Sequence, residues 1–504
     1  MFSRVFSGNI TGVDASIVCV EADVSGGLPQ FNMVGLLSSE IREAKERVER
    51  AFLNSGFELP ARKITVNLSP ASIRKQGSGF DVPIAVAILA SMGQVKEESL
   101  KNKLFMGELS LDGHINKICG VLPVALLAQK EGINTVVVPK DNVFEGSAIE
   151  DINVFGVSDL KELVDCLNKN TFAATDHVDL EQALEKTYTA DGMDYLDIRG
   201  QEQAKRATEV AVAGFHNLMY VGPPGSGKSM MARRIPSILS RLSREECLEI
   251  SKIYSVMGLL SDDSLVLTRP FRAPHHSITA PALVGGMGNP RPGEITLAHK
   301  GVLFLDEAAE FKKNVIEMLR QPLEDKQVVI SRMAGNMVFP ADFMLVLAAN
   351  PCPCGYYPDR QHCMCSQTEI NRYFGKLKGP ILDRIDICVG TTKLDVGEFA
   401  VTKGFSSAQM RENIIRAQRI QAERFKDCQF KFNSQMGRKE IELFCIIETD
   451  AQKLLDNAYE KYNMTARGYY KIIKVSRTIA DLDGSENINK KHILEAIGYR
   501  NMHE

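Results

Sequence analysis

The residues with the plainest chemistry lie between 218 and 229. There the string LMYVGPPGSGKS runs from an apolar stretch through G-x-x-x-x-G-K-S into a helix beginning near Met230. Gly222, Pro223, Pro224, Gly225, Ser226 and Gly227 form a loop whose backbone N–H groups close around phosphates. Lys228 reaches the β and γ oxygens, and the Ser229 hydroxyl suits magnesium. Such a loop needs an acidic partner, because magnesium held by one hydroxyl wants a carboxylate and the attacking water must be polarised. Val302-Leu-Phe-Leu-Asp-Glu307 supplies both: four apolar residues make a buried strand whose end presents Asp306 to the metal and Glu307 to the water. The expected chemistry is Mg2+-dependent hydrolysis of ATP.

Cysteine gives a second constellation. Cys352, Cys354, Cys363 and Cys365 follow the spacing C-x-C-x8-C-x-C, and Gly355, Pro358 and Asp359 let the chain fold back between the pairs. Four thiolates converging on zinc at about 2.3 Å make a closed, structural site, with His362 as an alternative ligand. An ion there would brace the loop after Asn350. The chain has 11 cysteines, an odd number, and its start has no basic segment followed by an apolar run. Reduced thiols and a cytoplasmic location are therefore expected, and a disulfide scaffold is not.

The elements that position these groups follow from pattern and length. A chain of 504 residues, 44% hydrophobic and 24% charged, holds about three globular domains. The longest apolar stretch, Val82 to Ala90, is about half a membrane span. Strand-like runs at Ala15–Glu21 and Lys63–Leu68 alternate with helical ones at Ser39–Asn54 and Pro83–Met92, giving a mixed α/β domain at 1–168. The polar, acidic stretch 169–194 reads as a connector with one short helical patch. A second α/β domain spans 195–392. From 393 to 504 the pattern is helical almost throughout, with helices expected at Ser406–Arg424, Arg438–Ile447, Ala451–Tyr462, Arg467–Leu482 and Lys490–Tyr499.

The phosphate loop, GEITLAHKGVLFLDEAAEF at 293–311, FMLVLAANPCPCG at 343–355 and GPILDRIDICV at 379–389 together resemble the magnesium-chelatase-like AAA+ proteins, and more narrowly the ComM (YifB) family. The likeness extends to Val34-Gly-Leu, Val66-Asn-Leu-Ser-Pro-Ala71, Phe271-Arg-Ala-Pro-His-His276 and Arg467 to Leu482. It implies a central AAA+ phosphate-loop α/β domain and a C-terminal helical lid. Asn350 matches the position that orients the lytic water. Arg384, in Leu382-Asp-Arg-Ile-Asp386, matches the arginine finger that enters the neighbouring subunit's site; on the residues alone an ion pair with Asp383 or Asp386 stays open. Arg467 matches a lid arginine that contacts its own subunit's nucleotide, with Arg477 as the other candidate. Met106-Gly-Glu-Leu-Ser-Leu-Asp-Gly113 and Arg74-Lys-Gln-Gly-Ser-Gly-Phe-Asp-Val-Pro83 resemble the Lon protease domain, of the ribosomal S5 domain 2-like fold. Lon chemistry needs a serine activated by a lysine. Gly79 and Leu122 stand at those positions and Ser78 is one place off, so the expected domain is an inactive protease fold used for assembly or DNA contact.

A balance of 60 Lys+Arg against 63 Asp+Glu, net charge -3, gives no global basic field, so any DNA contact must come from local loops. The candidates are Arg272 and His275, beside His276 and Asn289-Pro-Arg-Pro-Gly293, and above all Arg332 at a hairpin tip, where related ring helicases carry a basic finger. The resemblance implies a hexameric, ATP-driven motor that moves single-stranded and branched DNA by branch migration during natural transformation, with no membrane partner. The other readings are a chelatase motor for inserting metal into a tetrapyrrole, a Lon-like protease and a nucleotide-dependent scaffold. A Lon-like domain and a cysteine loop are not expected of the chelatase subunit.

Overall fold

The structure, a computed structural model, describes residues 2–172, 177–187, 192–261, 265–286, 291–332, 335–377, 381–393 and 404–500. They group into two compact units, Met1–Thr187 with Ser243–Leu267, and Tyr188–Leu242 with Thr268–Glu504.

The first unit is built on strands β1 (Phe2–Thr11), β2 (Asp14–Ser25), β3 (Gln30–Val34), β4 (Lys63–Ser69), β5 (Lys103–Phe105), β6 (Thr135–Pro139) and β7 (Asn153–Val157), in the order β3-β4-β2-β1-β5-β6-β7. Along β2, Val18, Val20, Ala22 and Val24 are buried in strict alternation, which seats one face of the sheet on the core. The apolar run that is too short for a membrane forms the helix Asp81–Ser91, buried at every residue but Ala90 and packed on β1 and β2. Among the described residues no helix is long and apolar enough to cross a membrane. Asp81, at the start of that helix, is held by Arg47 through Nε at 2.6 Å and Nη2 at 2.9 Å. Gly79 has only Ile118 and Met106 within reach of an added Cβ, and Leu122 is buried, so no serine–lysine pair stands there.

The segment 243–267, expected inside the ATPase domain, groups with this first unit instead. Its helix Arg244–Met257 opens with a reciprocal cap between Ser243 and Glu246 and turns Cys247, Ile250 and Ile253 inward. It packs on the helix Val121–Lys130. The Ser255 hydroxyl donates to Glu145 at 2.6 Å, the Gly120 amide donates to the Ser255 carbonyl, and Lys252 pairs with Asp14 at 2.7 Å. Part of the expected connector, the helix Leu180–Lys186, also lies here.

In the second unit β8 (Leu218–Val221), β9 (Phe271–Arg272), β10 (Val302–Leu305), β13 (Met344–Ala349) and β14 (Ile387–Gly390) form one parallel sheet, ordered β9-β10-β13-β8-β14. Between β10 and β13 a hairpin of β11 (Gln327–Arg332) and β12 (Gly335–Pro340) leaves the sheet. Helices Ser407–Arg424, Arg438–Phe444, Thr449–Lys461, Ala466–Leu482 and Lys490–Gly498 follow the expected spans closely. They share one apolar core with the sheet, through Met410, Ile414, Ile472 and Ile479 beside Leu218, Val346 and Ile387, rather than forming a unit of their own.

Candidate nucleotide site

Parallel strands put all their carboxyl ends on one edge, where open α/β sheets bind ligands. Here that edge gathers the phosphate loop after β8, Asp306 and Glu307 after β10, and Asn350 after β13. Each strand is apolar and buried throughout, so its last residue fixes where the polar group behind it emerges.

The loop is tight. A Cβ on Gly222 would lie 2.1 Å from Thr391 Oγ1 and 2.3 Å from the Thr391 carbonyl, so only glycine fits beside β14. Gly227 has φ +87°, in the left-handed region, and starts the helix Lys228–Arg234. Ser226 Oγ donates to the Pro223 carbonyl at 2.8 Å and shares a hydrogen with Thr391 Oγ1 at 2.7 Å. Lys228, 8% exposed, folds back over the loop. Its ammonium donates to the carbonyls of Gly222 (2.7 Å) and Pro223 (2.9 Å) and to Asn350 Oδ1 (3.1 Å). Burial pushes the Lys228 pKa down, and Asp306 and Glu307 oppose that push. The lysine, both acids and the asparagine thus face one volume, as the motif spacing requires. Ser229 follows on the same helix turn, and its hydroxyl and the Asp306 carboxylate are hard oxygens of the kind that could hold magnesium.

Glu307 is itself left-handed, φ +50°, and its amide donates to Asp306 Oδ1 at 3.0 Å. Its side chain, 58% exposed, lies 3.5 Å from His276 Nδ1. His276 packs against His275 with ring centroids 4.0 Å apart and planes tilted by 34°, and meets Phe311 edge-on. Nothing in the spacing of His276 to Glu307 along the chain announces the contact.

Four sulfurs cluster beside the loop. Cys352 and Cys354 Sγ are 3.3 Å apart, Cys352 and Cys363 3.7 Å, Cys354 and Cys363 3.5 Å, and all four including Cys365 lie within 4.8 Å of one another. A tetrahedral zinc thiolate has sulfur–sulfur edges of about 3.8 Å, so the set fits that ion. Bonds from the Tyr356 amide and the neighbouring thiols lower the Cys354 pKa to about 6, while burial and the same network raise those of Cys363 and Cys365. His362 is outside the set: it is turned to Asp359 Oδ2 at 2.6 Å, which removes it as an alternative ligand. A Cβ on Gly355 would lie 2.5 Å from Pro224 Cδ, so the cysteine loop abuts the phosphate loop.

The arginines lie elsewhere. Arg384 ends a short turn, Leu382–Arg384, just before β14 begins, at the amino edge of the sheet. Asn217, just before β8, ties that edge together: its Nδ2 donates to the Arg384 carbonyl (2.9 Å), its amide to Asp386 Oδ2 (3.1 Å), and its Oδ1 accepts from the Leu345 amide (2.8 Å). The phosphate loop is at the other end of β8, four strand residues or roughly 13 Å away. Arg384 pairs with Glu324, and Arg467 donates to the same Glu324 Oε1 at 2.8 Å. Arg467 is thus engaged by Glu324, beside Arg384. Arg477 is buried against Asp481 and the carbonyls of Ser485 and Glu486, a structural assignment that removes it as the other lid candidate.

Of the residues expected to meet DNA, Arg272 is engaged by Glu294 through two contacts of 2.7 Å. His275 bonds to Ser277 at 2.8 Å. Arg332 closes the hairpin's backbone pairing opposite Gly335; its side chain and the tip at 333–334 lie outside the described residues, as does part of the loop at 289–293.

Three models of known families match the chain. The one described as magnesium chelatase, subunit ChlI, covers 194–399; subunit ChlI of Mg-chelatase covers 20–142; and magnesium chelatase, subunit ChlI C-terminal, covers 404–500. The second match means that the N-terminal region does not set this chain apart from a chelatase subunit, as its Lon likeness had led us to expect. The chain is 40% identical over 500 residues to competence protein ComM of Haemophilus influenzae, covering 99% of this chain and 97% of that protein. It is 38% identical over 497 residues to YifB of Escherichia coli, covering 97% and 95%. A Lon protease homologue of Caenorhabditis elegans is 28% identical over 143 residues, 27% of this chain and 18% of that protein.

Proposed function

We propose, from the premise that this chain belongs to the ComM/YifB family of magnesium-chelatase-like AAA+ proteins, that it hydrolyses ATP as a ring, six subunits by resemblance, and drives itself along single-stranded or branched DNA. The observation that carries the ring is the split of the catalytic groups between two edges of one sheet. Lys228, Asp306, Glu307 and Asn350 stand at the carboxyl edge and Arg384 with Arg467 at the amino edge, too far to serve one nucleotide within one chain.

In this reading the loop amides and Lys228 hold the phosphates, exchanging the carbonyls of Gly222 and Pro223 for phosphate oxygens. Ser229 and Asp306 would hold magnesium, which would supply positive charge against the phosphates. Glu307 takes the proton of the attacking water and Asn350 orients it. Arg384 and Arg467 of an adjacent copy meet the γ-phosphate. The Lon-like region at 1–168, followed by the connector at 169–194, serves assembly or DNA contact; the ATPase core and helical lid are taken as 195–392 and 393–504, with 243–267 lent to the N-terminal unit.

The DNA reading draws on the likeness to a competence protein over nearly the whole chain. Its test is strand displacement on a forked substrate with and without ATP. ATP hydrolysis without displacement, together with ATP-dependent metal insertion into a tetrapyrrole, would favour the chelatase reading that the ChlI matches keep open. Within the DNA reading, Arg332→Ala should weaken forked-DNA binding equally for unrelated sequences and lower the salt slope by roughly one counterion. A slope identical to the parent's would place Arg332 in solvent.

The cysteine set is assigned to a structural zinc. Metal analysis should return about one zinc per chain, and a Cys352→Ser, Cys363→Ser variant none, with a melting temperature lower by roughly 5 °C or more. A metal-free variant that melts with the parent would show that the ion braces nothing.

A further inference from the structure

Arg384 and Arg467 converge on a single atom. Both Nη2 groups donate to Glu324 Oε1, Arg467 at 2.8 Å and Arg384 closer still. Glu324 sits one turn after Arg320 on the short helix Arg320–Asp325, and the Arg320 charge is felt at Arg384. Two guanidiniums therefore share one carboxylate oxygen. Charged donors converging on one oxygen are also what a phosphate oxygen requires. The carboxylate therefore occupies the point that such an oxygen must take if both arginines act on one phosphate.

We propose that Glu324 is an internal stand-in for the γ-phosphate of a neighbouring subunit. In the free subunit it gathers Arg384 and Arg467; in the ring the phosphate takes its place and Glu324 swings aside. The proposal rests on the reading of both arginines as groups that act across the interface. Burial makes Arg384, whose side chain is only 6% exposed, harder to keep charged, and the Glu324 carboxylate opposes that effect. Glu324 itself is 43% exposed, so it has solvent to move into. The exchange replaces a singly charged acceptor with a more highly charged one. It is favourable only when the neighbour holds a nucleotide with its γ-phosphate, so the contact makes ring closure depend on ATP rather than ADP.

The test is Glu324→Gln in the full chain, which keeps the acceptor oxygen and removes the charge. Turnover should reach half its maximum at about fivefold lower protein concentration, because the competing ion pairs are gone. Assembly measured by sedimentation should become less selective for ATP over ADP. Affinity of dilute subunits for a fluorescent ATP analogue should stay the same, since Glu324 lies at the opposite edge from the phosphate loop. In an Arg384→Ala, Arg467→Ala background the same change should do nothing. Unaltered concentration dependence overturns the proposal. So does a fall of turnover to the level of Arg384→Ala, which would make Glu324 a strut that the arginines need. If Glu324→Gln melts early, Glu324→Ala is read by the same assays. Failure of the underlying reading shows up separately, in the mixing experiment with Glu307 and Arg384 variants below, which does not involve Glu324.

Discussion

Glu307→Gln protein should bind ATP as tightly as the parent and hydrolyse it at least about a hundredfold more slowly. The amide keeps the size and position of the carboxylate, so the left-handed turn at 307 and the bond from its amide to Asp306 persist. The phosphate loop, the lysine and the metal-binding acid are untouched, which is why affinity is spared. What disappears is the only charge at that position able to accept a proton from water. Equilibrium binding of a fluorescent ATP analogue and a phosphate-release assay measure the two halves. Turnover within about twofold of the parent would remove Glu307 from the role assigned to it.

Arg384→Ala should be equally inactive for a different reason, and the two defects should repair each other. An arginine finger contributes about a thousandfold or more to phosphoryl transfer. If it is supplied across an interface, an Arg384→Ala subunit still has a sound Glu307 site and a Glu307→Gln subunit still has a sound arginine. In rings mixed at equal proportions about a quarter of the interfaces pair one with the other, so up to about a quarter of parent activity should return. Arginines that served their own subunit would give no recovery at any ratio. Full hydrolysis by strictly monomeric protein would be as damaging. Arg467→Ala should follow the same pattern with a smaller loss, because its side chain is 54% exposed and reaches Glu324 from the surface.

Much of this site was readable before any coordinates. The strand, loop and helix around Lys228, the acids after Val302–Leu305 and the cysteine spacing are local signals, and each element falls where its pattern put it. The C-terminal helices were equally legible because caps such as Ser406, Thr465 and Asn489 stand at their starts. The misses are non-local. The spacing of Arg477 to Asp481 is that of a helical ion pair, but that it is buried depends on packing. That Arg467 meets Glu324, that His276 meets Glu307, and that Asn217 fastens three strand starts all depend on the path of the chain between them. The segment 243–267 is the clearest case: Ser243 and Glu246 announce a helix, yet no local pattern says that it packs on the helix Val121–Lys130, more than a hundred residues earlier.

That loan of a helix sets an order on biosynthesis. Glu145 waits, carboxyl buried and pKa raised by that burial, for the hydroxyl of Ser255, and the amide of Gly120 waits for the Ser255 carbonyl. The N-terminal unit therefore cannot finish folding as it leaves the ribosome; it must hold an open groove until residue 267 has emerged, by which time the phosphate loop has already been made. Neither unit can be cut out as one continuous stretch. A fragment ending at 187 exposes the groove, and one starting at 192 carries Cys247, Ile250 and Ile253 with nothing to cover them. Production of a stable half requires deleting 243–267 from one piece or grafting it onto the other.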